Sequence, residues 1–120
     1  MVLVGHGSKA PGFDAAMRKV ASALRRSRRY RKVLCAFLEV SDPPIMDAIA
    51  RCVQAGATEV RVLPYFVLTG KHVTRDIPFI VRAAARKFRR QARVILCSYL
   101  GYHAKIVSVV QERLRLGVSS

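Results

Sequence analysis

The chain has 120 residues, 52% of them apolar, with 22 Lys and Arg against 7 Asp and Glu, a formal net charge of +15. This length supports one hydrophobic core, and the composition excludes a disordered chain. No apolar run is long enough to span a bilayer, and the N-terminal apolar stretch is too short for a signal peptide, so we expect a cytoplasmic protein without a membrane partner. The positive charge favours acidic ligands without selecting one class of them.

Apolar runs typical of strands alternate four times with apolar stripes of helical period. The predicted strands cover residues 1–5, 32–38, 59–68 and 92–99, and the helical stripes cover 13–24, 45–53, 77–88 and 106–114. Asp42, followed by two prolines, opens the second helix and is a candidate N-cap, and Gly56 closes that helix. Four successive βα units predict a single α/β domain over residues 1–120, a flavodoxin-like three-layer sandwich with a four-stranded parallel sheet and helices on both faces.

The three histidines of the chain all fall at one edge of this predicted sheet. His6 ends the first strand, His72 follows the third, and His103 follows the fourth, where we expect a structural role. Ligands of such sheets bind beyond the carboxyl ends of the strands, and in the flavodoxin-like order the first and third strands are neighbours. His6 and His72 are therefore expected to converge, and neutral imidazole suits Fe, Co, Ni and Zn.

The same N-terminal turn also permits a nucleotide-binding interpretation. Gly5, Gly7 and Ala10 match the pattern G-x-G-x-x-A, and Glu39 closes the second strand as the acid of such a site would. However, a histidine occupies the middle of the match and Pro11 follows it at once. The histidine interpretation explains more of this edge, and a flavodoxin-like nucleotide binder remains the alternative.

The densest basic runs, 25–32 and 86–93, end the first and third helices. Helix C-termini lie at the edge opposite the histidines, roughly 17–20 Å away, which is about twice the Debye length at physiological salt. We interpret these runs as a solvated face, with a nucleic-acid-binding module as a further alternative. Aromatic residues for base stacking are scarce in both runs, so nucleic acid is not the expected partner.

The three cysteines, Cys35, Cys52 and Cys97, are odd in number, far apart and placed in apolar segments. Their spacing matches no zinc pattern, so we predict free and buried thiols.

Four stretches, "LVGHGS", "FLEVSDPPIMDAI", "VRVLPYFVLTGKHVTRDIP" and "LGYHAKIVSVVQERL", together resemble the short-form sirohydrochlorin chelatases. These CbiX- and SirB-like enzymes belong to the class II chelatases. The resemblance implies a metal chelatase, a lyase that inserts cobalt, nickel or iron into a tetrapyrrole for cobalamin, sirohaem or nickel-tetrapyrrole biosynthesis. It also implies that the chain corresponds to one half of the longer, two-half members of the class.

The resemblance implies roles for individual residues. His6 matches the metal ligand and proton acceptor, His72 matches the second metal ligand, and Glu39 matches an acid that serves as ligand or proton relay. The implied substrate contacts are Asp42, Val67, Leu68, Thr69, Gly70, Lys71 and His72. No permanently bound cofactor is expected, because divalent Co, Ni or Fe is a substrate. The expected partners are a polycarboxylate tetrapyrrole and a second copy of the chain, since one wall cannot enclose a large flat ring.

Overall fold

Four parallel strands form the centre of the structure, a computed structural model that describes residues 1–119. The strands are β1 (Val2–Gly5), β2 (Leu34–Phe37), β3 (Glu59–Pro64) and β4 (Arg93–Leu96). The helices are α1 (Ala15–Arg26), α2 (Ile45–Gln54), α3 (Ile77–Lys87) and α4 (Ala104–Arg115), and a π-helical turn (His72–Asp76) directly precedes α3. The strand order β2-β1-β3-β4 confirms the flavodoxin-like prediction and sets β1 beside β3.

The two faces of the sheet carry separate apolar cores. Val2 and Val4 point to one face, where the apolar stripes of α2 and α3 cover them, together with Val60 and Val62 of β3. Leu3 points to the other face, where α1 packs through Met17 and Ala21. This alternation follows from the period of two along a strand, and it confirms helices on both faces of the sheet.

The strands are shorter than predicted, and β3 and β4 are each shorter by four residues. β3 was expected to reach residue 68 and ends at Pro64. The Phe66 backbone N–H donates to the carbonyl oxygen of Pro64 at 3.0 Å, and this tight turn takes the chain out of the sheet. The apolar character of residues 65–68 therefore belongs to an irregular segment. Its early departure frees the approach to His72 at the carboxyl edge.

The start of α2 excludes Asp42, one candidate for the N-cap of this helix. Pro44 occupies the N-cap position with an extended backbone, and no side chain caps this helix. Asp42 lies before both prolines and is exposed, so it is too far along the chain to serve the first turn. Gly56 ends the helix as predicted, with a φ of +95° that favours glycine.

Helix α4 differs from the other helices because it has no buried residue. Within residues 1–119, no other helix or strand packs extensively against it. The described part of the chain is elongated accordingly, with extents of 55 × 32 × 29 Å. None of the helices described is long and apolar enough to cross a membrane.

The cysteines are free thiols, as predicted, but the predicted burial holds for only two of the three. Cys35 and Cys52 are buried, one in each core, and Cys97 is half-buried after β4. Burial raises the pKa of the Cys35 and Cys52 thiols, which keeps both in the neutral form.

Candidate metal site

His6 and Glu39 meet because the pairing of β1 with β2 continues beyond the two strands. The Leu38 N–H donates to the carbonyl of Gly5, and the Glu39 N–H donates to the carbonyl of His6, both at 3.1 Å. This register brings the two side chains together at the carboxyl edge. His6 Nε2 lies 3.0 Å from Glu39 Oε1, and the side chains are 49% and 55% exposed.

Gly7 allows this close approach of the two strand-end segments. A Cβ at this position would lie 1.8 Å from the carbonyl oxygen of Glu39, and the φ of Gly7 is +106°. The contact is held by Ser41, whose hydroxyl accepts from the Ser8 N–H at 3.1 Å and donates to the Ser8 carbonyl at 3.0 Å. Within the pattern G-x-G-x-x-A, the second glycine therefore makes room for the segment after β2, where a dinucleotide site would need room for a pyrophosphate.

Val40 turns the chain sharply after Glu39. Its φ is +70°, and the Ser41 N–H donates to the Glu39 carbonyl at 2.7 Å across it. A positive φ is unfavourable for a β-branched residue, so the Ser41 contacts with Ser8 must hold this turn in place. The strained turn fixes the direction in which Glu39 leaves β2.

His72 comes from the other side, on the first residue of the π-helical turn. Its Nδ1 lies 2.9 Å from Asp76 Oδ2, one helical turn later, and its ring centroid lies 4.8 Å from that of His6. Arg75 donates to the other carboxylate oxygen of Asp76 at 3.2 Å. The hydrogen bonds from Arg75 and from His72 lower the pKa of Asp76, so its carboxylate is charged at neutral pH.

Asp76 is the residue of this site that sequence reasoning missed. The signal was present in the stretch "HVTRD", where the aspartate follows His72 at a spacing of four residues and therefore shares a helix face with it. A carboxylate that accepts from Nδ1–H leaves the Nε2 lone pair of the same imidazole available to a metal.

The structure brings together three groups that can ligate a metal ion. One ligand atom each from His6, Glu39 and His72 lies within 4.8 Å of the other two. Ligands of a tetrahedral ion with bonds of about 2.1 Å are about 3.4 Å apart, so small side-chain rotations would close the set. Three ligands with nearly half of each side chain exposed form an open site from which an ion can leave.

The contact between His6 and Glu39 can hold a proton as well as a metal. An imidazole nitrogen and a carboxylate oxygen at 3.0 Å are held together by a shared proton or by a cation. His6 Nδ1 lies 3.1 Å from the Gly7 carbonyl, a contact that suits an N–H at that nitrogen. Proton and metal therefore compete for the same pair of atoms.

The remaining predicted residues surround this trio more loosely. Asp42 and the segment Val67–Gly70 are exposed at the same carboxyl edge, and the exposed Lys71 immediately precedes the π-helical turn. His103 stands apart as the N-cap of α4, where its Nδ1 accepts from the Lys105 N–H at 3.0 Å. The expected structural role of His103 is confirmed.

The chain offers only a shallow wall beside the trio. A pocket of about 210 Å³ adjoins His6 and is lined by Phe13, Met17, Phe37 and Tyr65 among others. A larger pocket of about 600 Å³ lies at the opposite edge of the sheet, between the basic segment 29–32 and the start of β3. Pocket volume therefore does not identify the candidate site, because the side chains of His6, Glu39 and His72 converge beside the smaller pocket.

The fold and these side chains define a class: a parallel α/β protein with a candidate metal site at the point where strand order reverses. The family model CbiX matches residues 1–116, so the chain belongs to the CbiX family. The chain is 31% identical over 115 residues to the chloroplastic sirohydrochlorin ferrochelatase of Arabidopsis thaliana, covering 96% of this chain and 51% of that protein. It is 29% identical over 119 residues to the sirohydrochlorin cobaltochelatase of Sulfolobus acidocaldarius, covering 99% and 92%.

A solved structure of the sirohydrochlorin chelatase SirB from Bacillus subtilis, in complex with cobalt, superposes with a TM-score of 0.85. The sequences are 26% identical, and the match covers 95% of this chain and 48% of SirB. The chain thus spans about half the length of some relatives and nearly all of others. These similarities support the chelatase interpretation and give no support to the nucleic-acid or nucleotide alternatives.

Proposed function

We propose that this protein inserts a divalent metal ion, cobalt or another ion of similar size such as nickel or iron, into sirohydrochlorin or a closely related tetrapyrrole. The observation that carries the proposal is the convergence of His6, Glu39 and His72 within 4.8 Å on the ends of neighbouring strands. Three ligands can capture a hydrated ion and strip part of its water. A closed four-ligand site would retain the ion.

Insertion also requires removal of two pyrrole N–H protons, and His6 is suited to accept them. Its exposed Nε2 faces Glu39, so a proton taken from the ring can be shared with that carboxylate and passed to solvent. His72, oriented by Asp76, keeps its Nε2 for the metal. The metal leaves the protein as the ring nitrogens replace the three side chains.

The segment of residues 67–71, on one side of the site, is suited to a flat, acidic ring. The exposed apolar residues Val67 and Leu68 can contact the macrocycle, and Lys71 can pair with a ring carboxylate. Asp42, on the other side, can accept a hydrogen bond from a protonated ring substituent. Sirohydrochlorin carries eight carboxylates, which suits the positive charge of the chain.

The working unit is a homodimer in which each chain of residues 1–120 supplies one half of the cleft, in the cytoplasm. This pairing is supported by the shallow pocket of one subunit and by the twofold length of some relatives. Ligand sites usually bury most of the ligand surface, and one wall here leaves the ring half exposed.

The test is anaerobic spectroscopy of sirohydrochlorin with cobalt, nickel or ferrous ion, with and without protein. Wild type should accelerate the spectral change of metal insertion, and His6→Ala should lose about 100-fold of that acceleration because general base and ligand are removed together. Replacement of Arg89 and Arg90 by Ser, at the opposite edge, is the control and should retain wild-type rates. If no metal is inserted faster with protein than without it, the proposal is wrong.

A further inference from the structure

Helix α4 carries an apolar stripe that the rest of the chain leaves uncovered. Val107, Val110 and Leu114 recur at helical spacing and are 42%, 51% and 75% exposed. Lys105, Ser108, Glu112 and Arg115 lie on the opposite side of the helix. A helix with one apolar and one polar side is expected to bury the apolar side against another element.

The sheet has a matching uncovered face. α1 packs mainly on β1 and β2 and reaches β3 at Leu63, whereas α2 and α3 cover β3 and β4 from the opposite side. On the face that α1 shares, the amino half of β3 and β4 carries the exposed Glu59, Arg61 and Arg93. The carboxyl half carries Ile95 and, directly after β4, Cys97, and both of these are half-buried. In a three-layer sandwich this is the place of the last helix.

The surface area shows how much of the chain is left uncovered. A compact protein of 13.4 kDa exposes about 6,500 Å², whereas this chain exposes 8493 Å². Its radius of gyration is 15.5 Å, against about 14 Å for a compact chain of this length. The excess of about 2,000 Å² exceeds the roughly 800 Å² that each partner buries in a standard stable interface.

The connection before α4 holds the helix away from its own sheet. After β4, the Gly101 N–H donates to the Phe66 carbonyl at 3.2 Å, and Gly101 has a φ of +54°. His103 then caps α4 at its first turn. The linker is thus anchored at the carboxyl edge, near the metal site, and directs the helix outward.

We propose that two copies of the chain exchange α4, so that the apolar stripe of each helix packs on the uncovered face of β3 and β4 of the other copy. This inference deepens the homodimer of the proposed function. A second copy of the chain is the partner that fits. Each chain has one apolar stripe and one uncovered face, so a reciprocal exchange covers both stripes and both faces at once. The chain matches only about half of some relatives, 51% of the Arabidopsis ferrochelatase and 48% of SirB. The exchange would also hold two carboxyl edges opposite each other.

Cysteine cross-linking of the full chain tests the exchange directly. Val107→Cys, Val110→Cys and Leu114→Cys each place a thiol on the stripe, which the exchange would set against the native Cys97 of the uncovered face. Mild oxidation with diamide should convert at least one of them to a covalent dimer that is absent in a Cys97→Ser background. Ser108→Cys, on the polar side of α4, is the matched control and should not cross-link through Cys97. A disulfide within one chain would overturn the proposal, because α4 would then cover its own sheet.

Sedimentation equilibrium gives a second, independent readout. Wild type should be a dimer, and Val110→Glu should weaken dimerisation at least 100-fold, whereas Ser108→Glu should leave it unchanged. Val110→Glu should keep its fold by circular dichroism, since α4 has no buried residue in the isolated subunit. If Val110→Glu remains a dimer, the exchange of α4 is excluded, while the homodimer of the proposed function remains supported. If the protein forms the exchanged dimer but inserts no metal, the chelatase function is excluded, while the exchange of α4 remains supported.

Discussion

The two edges of the sheet differ in charge and in how closely the backbone constrains their side chains. The amino edge carries the basic runs and the pocket of about 600 Å³. Its arginines are exposed. Arg25 donates to the Val33 carbonyl at 2.7 and 3.1 Å, Arg26 donates to the Ser22 hydroxyl at 2.9 Å, and Arg61 pairs with Glu59 at 2.6 Å. The carboxyl edge has a smaller pocket, yet backbone pairing, a strained turn and a π-helical turn bring together three side chains that can ligate a metal ion. Convergence of constrained groups locates the site better than charge density or pocket size does.

The constraint at the carboxyl edge can be broken most strongly at Gly7. Gly7→Ala would place a Cβ 1.8 Å from the Glu39 carbonyl at a φ of +106°, so we expect a loss of about 2–4 kcal/mol in unfolding free energy. Gly12→Ala is the matched control, because its φ is +72° with no atom within 4 Å, and should cost only about 1 kcal/mol. Urea unfolding measures both, and equal losses would show that the approach of Glu39 to Gly7 is not required.

The orientation of His72 can be tested at Asp76. Asp76→Ala removes the acceptor of the imidazole Nδ1 and should lower kcat of metal insertion about 10-fold, with the KM for the tetrapyrrole unchanged. Asp76→Asn keeps an acceptor oxygen and should restore part of the rate. Asp47→Ala, an exposed acid in the first turn of α2, is the control. If Asp76→Ala raises KM without changing kcat, Asp76 contacts substrate and does not position His72.

Charge at the two edges should affect substrate binding differently. Lys71→Ala should raise the KM for the tetrapyrrole about 3-fold, the effect of one exposed ion pair. Replacing Arg28, Arg29, Arg89 and Arg90 together by Ser should change KM less than about 2-fold, since these residues lie more than a Debye length from the ring. Steady-state kinetics at 0.15 M salt compares the two variants, and a larger rise from the fourfold replacement would reverse the assignment of the binding edge.

The stability of the protein is expected to depend weakly on pH through Cys52, which lines the pocket at the amino edge. Burial raises the pKa of Cys52, while the N-terminal amine and Lys32 partly oppose that rise. Above a pH of about 8.5 the thiol ionises in the unfolded chain and remains neutral in the folded one, so stability should fall as pH increases. Cys52→Ala should reduce this alkaline decline in Tm between pH 8 and 10, and an unchanged decline would exclude Cys52 as its source.

The sequence predicts the sheet order and the meeting of His6 with His72 because both follow from local periodicity and chain order. The ends of β3 and the position of α4 are not predictable in this way. Pro64 and Phe66 end β3 through a turn between backbone groups, and the apolar stripe of α4 indicates burial without indicating which chain covers it. Asp76 was missed because its spacing from His72 matters only once that segment is helical.

The most direct measurement of the metal site is equilibrium binding of cobalt(II) to the full chain, followed anaerobically by visible absorption. Wild type should bind one ion per chain with the absorption of a site containing nitrogen and oxygen ligands. His6→Ala and His72→Ala should each weaken binding at least 10-fold, and the fourfold replacement of arginines at the amino edge should leave it unchanged. Wild-type cobalt affinity in the double variant His6→Ala/His72→Ala would contradict the assignment of the metal to this edge.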